Sequence, residues 1–125
     1  MLVFLVDDDF IFNTLNTAVI NRFSNEIQIR SFLSGVEMLN FIKQSGNDFV
    51  APEILLLDVW MPEMNGFEFL DELLLMDKNP LSTTKIYLHS STLNELDLKK
   101  ANEYSNLSGW LDKPLTVELF SSISI

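Results

Sequence analysis

Residues 54–66 read ILLLDVWMPEMNG. An unbroken aliphatic run ends on a carboxylate, Asp58, and after three more residues the chain enters the turn-rich block Pro62-Glu63-Met64-Asn65-Gly66. A strand without polar alternation is one covered on both faces, as in a parallel sheet. The segment therefore predicts a central strand over 53–57 that delivers one acid to the loop beyond its carboxyl end.

The rest of the chain repeats this design. Apolar runs at 2–6, 26–31, 53–57, 85–89 and 108–111 alternate with amphipathic stretches, giving a βαβαβαβαβα pattern. Helical spacing joins Phe12, Leu15, Val19 and Phe23, then Val36, Leu39 and Ile42, then Phe67, Leu70 and Leu74. Ser34 with Glu37, Asn65 with Glu68 and Thr92 with Glu95 each set a small polar residue three before an acid, a helix-start signal. In the fourth helix Leu93, Leu96, Leu98 and Tyr104 share no clean stripe, so it is expected to be the most mobile. Alternation of this kind predicts an α/β fold, a doubly wound five-stranded parallel sheet with helices on both faces, joined by right-handed crossovers. Ligands of such sheets bind beyond the carboxyl ends of the strands.

Composition sets the bounds. The 125 residues suit one domain, 1–125, and 47% apolar residues supply its core. The chain contains no apolar run near the length of a membrane span, and Met1 to Val6 leads into three aspartates where a signal peptide would continue, so a cytoplasmic protein with no membrane partner is expected. The absence of cysteine excludes disulfides, thiolate metal sites and a cysteine nucleophile. Eight basic residues against 18 acidic ones give a net charge of −10, with no basic stripe to meet a phosphate backbone, so no direct nucleic-acid binding is expected.

The strand ends carry the chemistry. Strand one delivers Asp7, Asp8 and Asp9, strand three Asp58, strand four Ser90, and strand five Lys113 before Pro114. Two carboxylates ~4 Å apart repel by about 4 kcal/mol at an effective dielectric of about 20. A divalent cation resolves that conflict, and magnesium suits hard oxygen donors where neither cysteine nor a histidine pair is present. Magnesium also accepts phosphate oxygens, and phosphoryl transfer requires positioning plus neutralisation of the equatorial oxygens. Lys113, the Ser90 hydroxyl and a metal each offer a partner to one such oxygen, while Asp58, alone at its strand end, is the natural nucleophile for an aspartyl phosphate.

With these residues in place the sequence resembles the receiver domains of two-component response regulators over essentially its whole length. The resemblance rests on "FLVDDD", "LLLDVWMPEMNG", "IYLHSS" and "GWLDKP" at the ends of their strands. It implies the flavodoxin-like receiver fold with strand order 2-1-3-4-5 and Asp58 as phosphoacceptor. It also implies Asp7 and Asp8 as the metal-binding pair, Asp8 directly and Asp7 through water, with the Trp60 backbone carbonyl as a further ligand. Ser90 corresponds to the switch hydroxyl, Lys113 to the family's lysine and Trp110 to its switch aromatic, and the Lys113-Pro114 bond is expected to be cis. Implied partners are a histidine kinase or histidine phosphotransfer protein as donor and a downstream effector protein contacted in trans. The chain is then a phosphoacceptor and not an enzyme.

Some positions depart from the common pattern. Ser90 stands where many members have threonine, so the switch is expected to be looser. Trp110 is larger than the usual tyrosine or phenylalanine. Only 11 residues follow Pro114, which makes a short last helix and points to a monomer or weak dimer. Trp60, two residues past Asp58, stands near the path of an attacking water, so slow autodephosphorylation is expected. Plainer roles stand beside these: Asp9 as a helix cap, His89 as a structural residue, and Lys99-Lys100 as a solvated face. Two other functions share the features. A degenerate receiver would bind partners without phosphorylation. A phosphatase of the haloacid dehalogenase type would place a second acid where Trp60 stands.

Overall fold

A computed structural model describes residues 1–91 and 93–124. Among them strands and helices alternate: β1 (Leu2–Val6), α1 (Phe10–Phe23), β2 (Gln28–Phe32), α2 (Gly35–Ser45) with a 3-10 turn (Gly46–Asp48), β3 (Ile54–Leu57), α3 (Gly66–Leu74), β4 (Lys85–Ser90), α4 (Glu95–Ala101), β5 (Leu107–Asp112) and α5 (Val117–Ile123). The strands form one parallel sheet in the order β2-β1-β3-β4-β5, the expected 2-1-3-4-5.

The sheet sits between two apolar layers. Phe4, Val6, Leu55, Leu57, Ile86 and Leu88 point to α2 and α3, where Met38, Leu39, Phe67, Leu70 and Leu73 bury against them. The alternate residues Val3, Leu5, Ile54 and Leu56 meet Ile20 of α1 and Phe120 and Ile123 of α5. Because every residue of β3 is buried, the strand has no solvent face and must sit centrally, as its sequence requires.

Expected boundaries shift at the edges. The second strand starts at Gln28, not residue 26: the Glu26 N–H is engaged by the Ser24 hydroxyl in the turn after α1, and the Gln28 N–H is the first to bond β1, through the Met1 carbonyl. β3 begins one residue late, at Ile54, and β4 ends one residue late, at Ser90. β5 gains a residue at each end through its pairing with β4.

Helix α1 departs most from expectation. Asn13, Asn16 and Ile20 form its buried face, whereas Leu15 is exposed. The cause lies at its start: Asp9 caps the helix by accepting from the Ile11 N–H at 2.9 Å, and the Asn13 amide bonds two carbonyls at the sheet end. At 100° per residue, an inward Asn13 sends Leu15 outward. Phe23 does pack, edge-on against Phe120 at 5.3 Å. In α3 the stripe ends on Leu73, and Leu74 is exposed.

Ser34 caps α2 and Asn65 caps α3 as expected, the latter in a full capping box with Glu68. For α4 the expected Thr92–Glu95 start is replaced by a box between Asn94 and Asp97; Thr92 itself lies outside the described residues. No helix among the described residues is long and apolar enough to cross a membrane.

Candidate functional site at the carboxyl ends of the strands

Backbone ladders carry each functional residue to the same edge. The Asp7 N–H bonds the Phe32 carbonyl, the Asp58 N–H the Val6 carbonyl and the Lys113 N–H the Ser90 carbonyl, so pairing continues one residue past the strands. The result is a cleft of about 260 Å³ lined by Asp7, Asp8, Asp9, Phe12, Asp58, Trp60, Ser90, Ser91 and Lys113. Asp7, Asp58 and Ser90 are buried, while Asp8 and Trp60 stand at the open rim.

The charges are closely set. Carboxylate oxygens of Asp7, Asp8 and Asp58 lie within 4.8 Å of one another, a donor set able to hold a cation. Lys113 Nζ is 2.6 Å from Asp7 Oδ2 and 3.5 Å from Asp58 Oδ1, with all three side chains nearly enclosed. The ammonium also lies over the Phe12 ring, 4.1 Å from its centroid, a contact that attracts the cation. Asp7 is further fixed by accepting the Asp9 N–H at 2.9 Å.

These surroundings shift the nucleophile candidate. Burial and the Asp7 charge push the Asp58 carboxyl up to about 6, against the pull of Lys113 and with smaller contributions from Asp8. Next to the site, His89 is pushed down to about 4 by burial and by Lys113, opposed by a hydrogen bond to the Asp112 backbone. It is neutral at pH 7.

Six of the seven residues singled out from sequence meet in the cleft, and Trp110 does not. It lies 39% exposed on β5, lining a separate cleft of about 230 Å³ with Ala101, Tyr104 and Leu107. The Lys113–Pro114 peptide is cis, as the resemblance implies. Sequence reasoning missed Gly66 and Asn13. A Cβ on Gly66 would come within 2.8 Å of the Asp58 carbonyl oxygen, so the glycine lets α3 pass directly behind the acid. Asn13 was hidden by the apolar residues around it, and its spacing of six from Asp7 was the available signal.

A comparison with curated protein sequences found no match. Solved structures do match. A two-component response regulator from Cytophaga hutchinsonii is 30% identical, with a TM-score of 0.87 over 97% of this chain and 91% of the other. A two-component response regulator from Legionella pneumophila is 27% identical, with a TM-score of 0.82 over 96% and 92%. The chemotaxis protein CheY4 of Vibrio cholerae shares the fold at 20% identity, with a TM-score of 0.77 over 97% and 92%. The family model for the response regulator receiver domain matches residues 3–123, and with the fold and the acidic cleft already described, the chain belongs to that family.

Proposed function

We propose that Asp58 accepts a phosphoryl group from a phosphohistidine on a histidine kinase or histidine phosphotransfer protein. The observation that carries this reading is Asp58 itself, a carboxylate held at a central strand end between two acids and a lysine, at the floor of an open cleft. An oxygen of Asp58 attacks phosphorus, the bond from phosphorus to the donor imidazole, which carries a proton on its other nitrogen, breaks, and neutral imidazole leaves with the electron pair. Lys113 and the Ser90 hydroxyl bind phosphoryl oxygens as charge develops on them.

The three carboxylates fit magnesium, since all are hard oxygen donors within reach of one ion. Asp7, Asp8, Asp58 and the Trp60 carbonyl would hold it, and when bound it would neutralise charge on the phosphoryl oxygens. Asp58 is consumed in the transfer, so the chain acts as a phosphoacceptor and not as a turnover enzyme. The aspartyl phosphate then shifts the population of conformations, through Ser90 and Trp110, and an effector protein reads that shift in trans.

Intact mass after incubation with magnesium and a small-molecule phosphodonor tests the proposal. One phosphoryl group on the wild type and none on Asp58→Asn is expected. No adduct on the folded wild type would leave a phosphorylation-independent binding module as the better account.

A further inference from the structure

Helix α1 turns an amide into the interior where an aliphatic side chain was expected. Asn13 is 3% exposed, and its Nδ2 donates to the Asp7 carbonyl at 3.1 Å and to the Phe32 carbonyl at 3.2 Å. Two carbonyl oxygens converging on one atom demand a donor there, which fixes the amide's orientation. The Phe32 carbonyl also accepts the Asp7 N–H, so Asn13 adds a side-chain rung at the end of the β1–β2 ladder, between the last residue of β2 and the residue after β1.

That rung falls on the peptide joining Asp7 to Asp8. Holding the carbonyl oxygen of a planar peptide fixes the plane, and with it the direction in which Asp8 leaves the strand. The Asp7 side chain is secured separately, by the Asp9 N–H and by Lys113. Asp8 is exposed, and the backbone places it. Resting on the reading of Asp8 as a direct metal ligand, we propose that Asn13 is a positioning residue. Through the Asp7 carbonyl it sets the peptide that aims Asp8 toward Asp58, and so sets the affinity for a divalent cation. Groups that hold metal ligands in place typically change affinity by about 10–100-fold when removed.

The experiment compares Asn13→Leu and Asn13→Ala with Ile20→Ala, a truncation on the same buried face of α1 whose hydrocarbon side chain donates no hydrogen bond. Magnesium chloride alone is titrated, following Trp60 fluorescence in a Trp110→Phe background. Urea midpoints and amide hydrogen exchange are measured without metal. Both Asn13 variants are expected to bind magnesium at least about tenfold more weakly and to exchange the Asp9 amide faster, with the Gly66 amide unchanged. Ile20→Ala is expected to lower the midpoint at least as much while keeping wild-type affinity. Equal loss of affinity in Ile20→Ala, or wild-type affinity in the Asn13 variants, would overturn the proposal. Should the wild type itself bind no magnesium, the metal-site reading fails, and exchange decides the clamp: selective loss of protection at Asp9 supports it, and none refutes it.

Discussion

Asp58 is held in a place that disfavours its own charge. Its carboxyl, raised from 3.8 to about 6, binds a proton in the folded state between those values when the unfolded chain does not, so its contribution to stability falls as pH rises through that window. At neutral pH the ionised acid is therefore a net liability in metal-free protein. Asp58→Asn should raise the unfolding free energy from urea titration at pH 7.5 in EDTA by about 1–2 kcal/mol after discounting for solvent screening at a strand end; an unchanged or lowered free energy would show that Lys113 already compensates the charge. His89 acts in the opposite sense. From 6.5 down to about 4 the unfolded chain takes up a proton that the buried imidazole refuses, so stability falls as the solution is acidified. The stability lost between pH 7 and pH 4.5 should be smaller in His89→Leu by about 2 kcal/mol, and identical losses would remove His89 from the acid response. Trp60 stands half-exposed at the rim of the cleft, and with Asp58 as the proposed phosphoacceptor it would cover the approach of water to the acyl phosphate. Dephosphorylation in Trp60→Asn should be several-fold faster, and a rate equal to or below wild type would discard that shielding role.

Helices differ in how firmly they are fastened to the sheet. Only Ala101 of α4 is buried, and Leu96 is 76% exposed. The fastening lies just beyond the helix, where Tyr104 donates to Asp71 Oδ1 at 2.8 Å and stacks on Phe67, with Lys100 over the same ring. Burial and Asp71 push the phenol up to about 12, so it remains a donor across the working range. Tyr104→Phe keeps the stack and removes the hydrogen bond, so amide exchange should quicken in α4 and not in α3; uniform change in both would mean that α4 is held by other contacts. Legibility varies in the same way among the elements. Strand β3 was readable because a four-residue apolar run has one home in a parallel sheet. Helix α1 was misread because period alone cannot tell a stripe facing the core from one facing solvent, and two carbonyls at the sheet end fixed its rotation through Asn13. The α4 start was misread because Asn94 and Asp97 offer the same spacing as Thr92 and Glu95 two residues earlier.

The molecule as a whole carries a net charge of −10, and its sheet gathers four acids into one cleft, three of them close enough to share a cation, against the Lys113 ammonium. That convergence was legible because parallel topology sends every carboxyl end to one edge, so strand-final residues can be listed before any distance is known. The distances were not legible: Lys113 reaches Asp7 at 2.6 Å and Asp58 at 3.5 Å, a difference that depends on side-chain placement and not on strand order. Two effects of magnesium on stability follow and must be separated. General screening of the surface charge by salt helps the folded state in any variant. Specific binding adds RT ln(1 + [Mg]/Kd), about 1.4 kcal/mol at tenfold excess, which for a chain of this size raises the thermal midpoint by roughly 3–6 °C. Sodium chloride at matched ionic strength supplies only the first effect. Asp8→Ala removes a carboxylate from the cluster and leaves the buried Asp7–Lys113 pair intact, so magnesium should stabilise it no more than sodium chloride does. If Asp8→Ala kept the full magnesium response, the cation would be acting on the surface charge and not in the cleft.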